Sequence, residues 1–113
     1  MTRNLLSTRF EQLFFEEKAF LEPGLTLQPL AVRLFTNKTY LSRFINDTYN
    51  MSFPDLLNKV RVDYAQQYIL EHPEARQDEI ARASGFLNAP AFSRVFKRIA
   101  GVTPKAWAER EKL

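Results

Sequence analysis

The chain has 113 residues, 45% of them hydrophobic, and this length and composition predict one compact domain, residues 1–113, with a core of its own. The lack of cysteine excludes disulfide bonds and thiolate metal sites and fits a reducing compartment, so we expect the protein in the cytoplasm. The formal net charge is only +3, and no apolar run near the amino terminus has the length of a signal peptide or a membrane span.

The first predicted helix covers residues 9–21. Phenylalanines at helical spacing form its apolar face, namely Phe10, Phe14 and Phe20, and the helix stops before Pro23. A stripe of this kind is more typical of a core than of an exposed face, so we expect it to pack inside the domain. The alternative is an apolar edge that contacts another part of a longer protein.

The next two helices are short, are joined by a turn and cover about residues 26–50. Thr26 is the expected N-cap of the first, and Asn37 or Thr36 that of the second, because their side chains accept hydrogen bonds from free backbone N–H groups. Asn50 can take the left-handed conformation that ends the second helix. The inner face of that helix consists of apolar residues at helical spacing: Leu41, Phe44, Ile45 and Tyr49.

A long helix follows over about residues 53–71. It opens at Ser52, with Pro54 in its first turn, and ends at the His72-Pro73 break. Nearly twenty residues at about 1.5 Å per residue make a rod of roughly 28 Å, so we expect a rigid spacer between the flanking segments. Its expected apolar stripe consists of Phe53, Leu57, Val60, Tyr64 and Tyr68.

The last predicted helices are a second pair over about residues 77–101 and a terminal helix over about 103–112. Gly85 turns the chain between the paired helices, and Gly101 ends the second of them. The residues expected to face inward from that second helix are Phe92, Val95, Phe96 and Ile99. Trp107 lies on the terminal helix, where we expect it to pack in the core; stacking on a nucleotide base is the alternative.

The second helix pair repeats the first. Leu41-Ser42-Arg43 returns 51 positions later as Phe92-Ser93-Arg94, and Leu30-Ala31 returns 50 positions later as Ile80-Ala81. The difference of one position means that the second pair has one residue inserted between its helices. An internal repeat indicates that the chain carries one small structural unit twice.

Positive charge is concentrated in the second copy. No acidic residue lies between residues 80 and 108, whereas this segment contains the basic residues Arg82, Arg94, Lys97, Arg98 and Lys105. A surface of one sign favours a polyanion as partner. The alternative is a solvated face whose countercharges lie on neighbouring elements.

Two helices joined by a short turn, the second with a polar and basic outer face, are typical of a helix-turn-helix DNA-binding unit. The outward positions expected in the two units are Thr39, Ser42, Arg43 and Asn46, then Ala91, Arg94, Lys97 and Arg98, with Ser93 near the edge. An arginine at the same place in both copies can donate two hydrogen bonds to guanine, worth roughly 1–3 kcal/mol of discrimination, while lysine mostly meets phosphate. The spacer of roughly 28 Å is close to the repeat of about 34 Å between successive major-groove faces.

An ordered set of short motifs resembles a known family. The set consists of Leu41-Ser42-Arg43, Ser52-Phe53, Arg61 with Ala65, Ile80-Ala81, Gly85-Phe86, Phe92-Ser93-Arg94-Val95-Phe96-Lys97 and Gly101-Val102-Thr103-Pro104. Over about residues 20–107 it resembles the DNA-binding domain of the AraC/XylS family of bacterial transcription regulators. The resemblance implies an all-α domain of about seven helices, with two helix-turn-helix subdomains joined by a long central helix. It also implies sequence-specific binding of double-stranded DNA in the major groove, which regulates bacterial transcription.

The resemblance places the DNA contacts on the second helix of each unit. The implied DNA-binding residues are Lys38, Thr39, Ser42, Arg43, Asn46, Ser93, Arg94, Lys97 and Arg98. Pro90 and Ala91 stand where members often carry polar side chains, so base reading by the start of the second unit's helix stays open. Asp47 also departs from the family pattern, and it repels phosphate unless it pairs with Lys38, Arg43 or Lys59.

Domains of this kind commonly form the carboxyl-terminal output of a longer regulator, so the resemblance implies that the chain is a fragment. It implies promoter DNA and RNA polymerase as partners, a missing amino-terminal sensor or receiver domain, and a homodimer formed through that missing part. A full-length protein attached to a membrane is compatible with it. The alternative function is a helical protein-interaction module whose basic face is incidental.

No arrangement of side chains in the sequence indicates an enzyme, a metal site or a cofactor site. His72 has no second histidine or cysteine for a metal and no nearby nucleophile. The acidic pairs Glu16-Glu17 and Asp78-Glu79 are adjacent in sequence, so on a helix they diverge by about 100° and cannot act on one substrate together. We therefore expect no catalytic residue, no metal and no cofactor.

Overall fold

A computed structural model describes residues 4–112, and every regular element in that range is helical. The described elements are α1 (Leu5–Phe10), a π-helical segment (Glu11–Glu16), a 3₁₀ turn (Ala19–Leu21), α2 (Leu27–Arg33), α3 (Lys38–Tyr49), α4 (Phe53–Glu71), α5 (Gln77–Ala83), α6 (Ala89–Ala100) and α7 (Pro104–Glu111). The predicted all-α fold with about seven helices is confirmed. The chain divides between Leu57 and Asn58, inside α4, into an amino-terminal and a carboxyl-terminal unit. In the described range, no helix combines the length and the apolarity that a membrane span requires.

The first helix differs from the one predicted over residues 9–21. It begins earlier, because the Asn4 side chain accepts a hydrogen bond from the Leu6 N–H at 2.7 Å and so caps α1. It continues as the π-helical segment, which ends at Glu16, and the left-handed backbone of Lys18, with φ 59°, then turns the chain into the 3₁₀ turn. The predicted single helix is therefore wrong at both ends, since apolar spacing signals neither the cap nor the left-handed lysine.

Phenylalanines from this first segment fill the core of the amino-terminal unit. Phe10 and Phe14 are fully buried, and their stacked rings have centroids 4.8 Å apart. Phe10 also contacts Phe44 of α3 at 5.6 Å, and Phe14 contacts Phe53 at the start of α4 at 6.2 Å. Phe20 is buried as well. The expectation that the phenylalanine stripe packs internally is confirmed.

The two helix pairs end their first helices in the same way. After α2, the Thr36 N–H donates a hydrogen bond to the Ala31 carbonyl at 3.0 Å. After α5, the Phe86 N–H donates to the Ala81 carbonyl at 2.9 Å. This bond closes over a left-handed residue and satisfies a carbonyl that the helix end leaves free. The sequence repeat is thus also a repeat of backbone geometry.

The left-handed residue of this turn differs between the pairs. It is Phe35 in the first pair, with φ 58°, and Gly85 in the second, with φ 88°. Residues 34–37 connect α2 to α3, and residues 84–88 connect α5 to α6, so the second connection is one residue longer. The predicted insertion is confirmed. The extra position is at Leu87, which follows the turn bond described above.

The second helix of each pair is capped at both ends. Asn37 is the N-cap of α3, and its side-chain oxygen accepts a hydrogen bond from the Tyr40 N–H at 2.8 Å. Asn88 caps α6 in the same way and accepts from the Ala91 N–H at 2.9 Å. Each helix ends at a left-handed C-cap, Asn50 with φ 58° and Gly101 with φ 85°. Thr26 occupies the N-cap position of α2 without a side-chain hydrogen bond.

The carboxyl-terminal unit has its own core. Its buried residues are Val62, Ala65, Ile69, Ile80, Ala81, Phe86, Phe92 and Phe96. Trp107 of α7 packs on this cluster, with its ring 6.1 Å from that of Phe96, as expected. Val95 is partly buried, whereas Ile99 is 40% exposed. The inward orientation predicted for Ile99 is wrong, because the apolar spacing continues past the point where the helix leaves the core.

The apolar stripe predicted for α4 is also wrong beyond Leu57. The buried apolar residues there are Val62, Ala65 and Ile69, while Val60, Tyr64 and Tyr68 are only partly buried. Tyr68 lies at the core edge, where its hydroxyl donates a hydrogen bond to Glu79 Oε2 at 2.6 Å. This bond raises the pKa of Tyr68. A phenol needs a polar partner for its hydroxyl, and the edge of the core provides one.

Candidate nucleic-acid interface

The outward side of α3 collects the predicted DNA-binding residues of the amino-terminal unit. We call Lys38, Thr39, Ser42, Arg43 and Asn46 the α3 face. All five are exposed, whereas Leu41 and Ile45 on the opposite side are fully buried. Together with Leu27 and Asp47, the α3 face lines one shallow surface depression. The spacing of three and four residues puts these side chains on one side of the helix, and the buried residues fix which side faces solvent.

The outward side of α6 repeats this arrangement. We call Ser93, Arg94, Lys97 and Arg98 the α6 face. The three basic residues are exposed and Ser93 is partly buried, while Phe92 and Phe96 are fully buried. Each member of the α6 face has a counterpart 51 positions earlier in the chain. The two buried phenylalanines therefore orient the basic side of α6 as the buried aliphatic residues orient α3.

The cations of both faces are free of ion pairs among residues 4–112. They are Lys38, Arg43, Arg94, Lys97 and Arg98. Other arginines of the described chain are engaged: Arg33 forms two hydrogen bonds to Glu22, at 2.8 and 2.9 Å, and Arg82 meets Asp78 at 3.2 Å. A cation without an acidic neighbour keeps its hydrogen-bond donors for an external anion. The faces of α3 and α6 thus each carry arginine and lysine side chains that are available to an external anion.

Asp47 distinguishes the α3 face from the α6 face. It is exposed, lies in the same depression as Lys38 and Arg43, and forms no ion pair within the described range. Lys59, a partner suggested by the sequence, pairs instead with Asp63 at 3.2 Å. The carboxylate therefore stays beside the cations of α3 and opposes a nearby phosphate.

Two exposed residues next to the faces were missed by sequence reasoning. Tyr40 is 50% exposed and shares a second depression with Arg43 and Asn4. Leu87, just before α6, is 71% exposed. The position of Tyr40, three residues before Arg43, was a signal that both occupy one side of α3. For Leu87 the signal was its status as the inserted residue.

His72 lies outside both faces and contacts a neighbouring residue of α4. His72 stacks on Tyr68, with ring centroids 4.1 Å apart, and its Nδ1 lies 3.1 Å from the Tyr68 carbonyl oxygen. No group of three or more histidine, cysteine, aspartate or glutamate side chains in the described part of the chain is placed to hold a metal ion.

Comparison with known proteins identifies the family of this chain. A family model described as "Helix-turn-helix domain" matches residues 30–110. The Msm operon regulatory protein of Streptococcus mutans serotype c is 31% identical over 81 residues, which are 72% of this chain and 29% of that protein. The chain spans less than half the length of the curated relatives that it matches.

Solved structures share the fold. The C-terminal domain of AraT, a response regulator from Geobacillus stearothermophilus, is similar with a TM-score of 0.84 and 30% identity, over 96% of this chain and 86% of that one. The DNA-binding domain of AdpA, solved in complex with a target DNA, has a TM-score of 0.79 over 96% of this chain and 93% of that one. Its identity is 22%, so this second likeness is one of fold.

Proposed function

The chain belongs to the AraC-type helix-turn-helix family of bacterial transcription regulators, and we propose from this premise that α3 and α6 both read duplex DNA in the major groove. The matched region is a DNA-binding domain of transcription regulators and not an enzyme. One observation carries the proposal. Arg43 of α3 and Arg94 of α6 occupy the same place in two similarly capped helices. Both arginines are exposed and form no ion pair with the described residues.

In the amino-terminal unit, we assign base reading to the α3 face. Arg43 can donate two hydrogen bonds to O6 and N7 of guanine. Thr39, Ser42 and Asn46 lie on the same side of α3 and can donate to and accept from base edges. Lys38, a compact charge at the start of the helix, suits a phosphate. This face is therefore rich in hydrogen-bonding groups and poor in charge.

In the carboxyl-terminal unit, the α6 face combines one base contact with a stronger hold on the backbone. Arg94 takes the guanine-reading role because it occupies the position equivalent to Arg43. Lys97 and Arg98 lie one turn further along, where a helix in the groove passes the phosphates. Both cations also lie in the last turns of α6, where the helix dipole favours positive charge.

The test compares arginine variants on a selected DNA site. Duplex fragments retained by the protein near physiological salt are sequenced, and the enriched motif serves as the probe. Replacing Arg43 or Arg94 by Ala should weaken binding to this motif about 10- to 100-fold, the loss of one good arginine–guanine contact. Arg76→Ala is the matched control, since Arg76 is exposed and lies outside α3 and α6.

Two outcomes would contradict the proposal. If the double variant of Arg43 and Arg94 keeps wild-type affinity and selectivity while its helical content is unchanged, the faces do not read DNA. In that case the helical protein-interaction module would become the better explanation of the fold. An unchanged salt dependence in Lys97→Ala would remove the phosphate role, because each phosphate contact contributes about one unit to the slope of log K against log salt.

The wider assignments follow from the family. We propose that this single domain, residues 1–113, is the carboxyl-terminal output of a longer regulator, because the chain spans only part of its relatives and the AraT likeness is to a C-terminal domain. We propose further that the whole protein carries an amino-terminal sensor or receiver domain, forms a homodimer through it and acts with RNA polymerase at promoters in the cytoplasm. Purifying the protein at its natural length and measuring its oligomeric state tests the dimer.

A further inference from the structure

The amino-terminal tips of α3 and α6 have opposite chemistry. The tip of α3 is polar, with Lys38 and Thr39 exposed. The α6 tip, a name we use for residues 87–91, is apolar: Leu87 is 71% exposed and Pro90 is exposed. The residue equivalent to Pro90 is Thr39, so a hydroxyl in one unit is replaced by a ring of methylenes in the other. This is the end of a recognition helix that contacts base edges in helix-turn-helix proteins.

The α6 tip has little capacity for hydrogen bonding. Asn88 is its one polar residue, and because the side-chain oxygen of Asn88 already accepts the N–H of Ala91 at 2.9 Å, only its amide NH2 group remains as a side-chain donor. Pro90 has no N–H, and the side chains of Ala89 and Ala91 are methyl groups. A tip of this composition can meet a base edge chiefly through apolar contact.

Leu87 is not part of the core. Phe86, the residue before it, is 4% exposed and belongs to the buried cluster of the carboxyl-terminal unit. Leu87 is the inserted residue of the longer connection, with no counterpart in the first pair. It lies just before the Asn88 cap, beside a helix whose outward side is basic. An exposed leucine there precedes the helix that carries the cations of the α6 face.

The major groove offers one apolar group that such a tip can read. Thymine carries a C5-methyl group there, and an aliphatic side chain in contact with that methyl distinguishes an A·T pair from the others. On the basis of the proposed function, we infer that the α6 tip reads thymine through its methyl group, with Leu87 and Pro90 as the contacting residues. The carboxyl-terminal unit then specifies an A·T pair by shape next to the guanine contacted by Arg94.

The test removes the methyl group from the DNA. A duplex with the selected motif is prepared with uracil in place of each thymine in turn, a change that deletes the methyl and leaves the hydrogen-bonding pattern intact. The segment read by α6 is identified as the positions whose base preference is lost in Arg94→Ala. One uracil in that segment should weaken wild-type binding about fourfold, the effect of one buried methyl-sized group.

Variants assign the effect to the α6 tip. In a Leu87→Ala, Pro90→Ala double variant, the same uracil should change the affinity less than twofold. Ile99→Ala, which removes another exposed aliphatic side chain of α6, should keep the fourfold effect. Uracils in the segment read by α3, identified with Arg43→Ala, serve as the DNA control, and we expect no effect of the double variant on them.

The outcomes separate this inference from the proposed function. A selected motif without an A·T pair in the α6 segment, or one in which uracil has no effect there, overturns methyl reading and leaves DNA binding by both helices intact. A uracil effect that persists in the double variant overturns the assignment to Leu87 and Pro90. Failure to enrich any motif contradicts the proposed function itself.

Discussion

The equivalent sides of α3 and α6 carry different charges on the same frame. Where α3 has Asn46 and Asp47, α6 has Lys97 and Arg98. The outward side of α6 therefore carries three cations, whereas that of α3 carries two cations and one carboxylate. The caps and the turn bonds are nevertheless the same in both pairs. We call the caps, the turn bond and the buried side chains that hold each recognition helix its frame. The comparison shows that the frame of a recognition helix and the chemistry of its outward face are set by separate residues. Four predictions test this separation, beginning with the frame.

The largest effect is expected from the buried residue at the centre of each frame. Leu41 and its counterpart Phe92 are both fully buried. Phe92→Ala should lower the free energy of unfolding by about 3–5 kcal/mol and Leu41→Ala by about 2–5 kcal/mol, since each leaves a cavity. Urea denaturation followed by circular dichroism measures both. Ile99→Ala, on the exposed side, is the control and should cost less than about 1 kcal/mol; a cost like that of Phe92→Ala would mean that burial does not define the frame.

The left-handed position of the turn gives effects of opposite sign in the two pairs. Gly85→Ala should lower the free energy of unfolding by about 1–2 kcal/mol, because a residue with a Cβ is strained at φ 88°. Phe35→Gly should raise it by about 0.5–1 kcal/mol. The relieved strain exceeds the cation–π contact of the Arg9 guanidinium, which lies 4.9 Å from the Phe35 ring centroid.

Thermal unfolding of these two variants is sufficient to measure the difference. Phe35→Gly removes both the cation–π contact and the backbone strain at residue 35. Arg9→Ala separates these two contributions, since it removes the cation and leaves the backbone strain. If Phe35→Gly is less stable than the wild type, the strain at this position is smaller than the cation–π contact. A loss as large as that of Arg9→Ala would mean that replacing Phe35 by glycine relieves no strain.

A charge exchange tests whether the faces differ as proposed. Asp47→Arg gives α3 the residue that α6 has at Arg98, and it should steepen the slope of log K against log salt by about one unit while tightening all duplexes. Arg98→Asp should flatten the slope by a similar amount. Glu74→Arg, an exposed site outside both helices, controls for net charge. An equal change of slope in Glu74→Arg would show that overall charge, rather than the faces, governs DNA binding.

The smallest effect is expected at a buried hydroxyl. Ser84 is fully buried and its Oγ has no hydrogen-bond partner in the described structure, whereas its counterpart Leu34 is apolar. Ser84→Ala should raise the free energy of unfolding by about 0.5–1 kcal/mol, because an unpaired hydroxyl is costly to bury. Ser52→Ala should lower it by about 1 kcal/mol, since the Ser52 hydroxyl accepts the Asp55 N–H at 3.3 Å. If chemical denaturation shows that both variants change the free energy of unfolding in the same direction, this interpretation of Ser84 is wrong.

The sequence was most informative where local chemistry determines structure. Asn37 caps α3 because its side chain reaches a free N–H, and Gly101 ends α6 because glycine tolerates a positive φ. Periodicity was less informative where a tertiary partner decides. On α4, Tyr68 fits an apolar stripe by spacing, yet its hydroxyl donates a hydrogen bond to Glu79 at the core edge. The buried residue at this level of the helix is Ile69. The left-handed Lys18 carries no sequence signal of the kind that a glycine provides.

Prediction of the faces had a similar limit. Repetition located Arg43 and Arg94 without any structure, because equivalent positions of two copies share an orientation. The same reasoning overlooked Leu87, which belongs to one copy only and therefore has no counterpart to interpret it. It also gave no role to Tyr40, although the helix leaves half of that side chain exposed. A repeat thus reveals what the copies share, and the exposure of single residues reveals where they differ.

The caps that hold α3 and α6 are outside the two faces, and this arrangement permits an exchange of recognition. Thr39, Asn46 and Asp47 can be exchanged with their counterparts Pro90, Lys97 and Arg98 while both asparagine N-caps and every fully buried side chain stay in place. The serines at positions 42 and 93, and the arginines at positions 43 and 94, are already identical. Such a swapped protein would carry the side chains that distinguish the two helix faces in reversed chain order, while Leu87 stays in the second connection. We expect the base preferences that depend on these three positions to move with them from one end of the DNA site to the other, which makes the domain a starting point for transcription factors of chosen specificity.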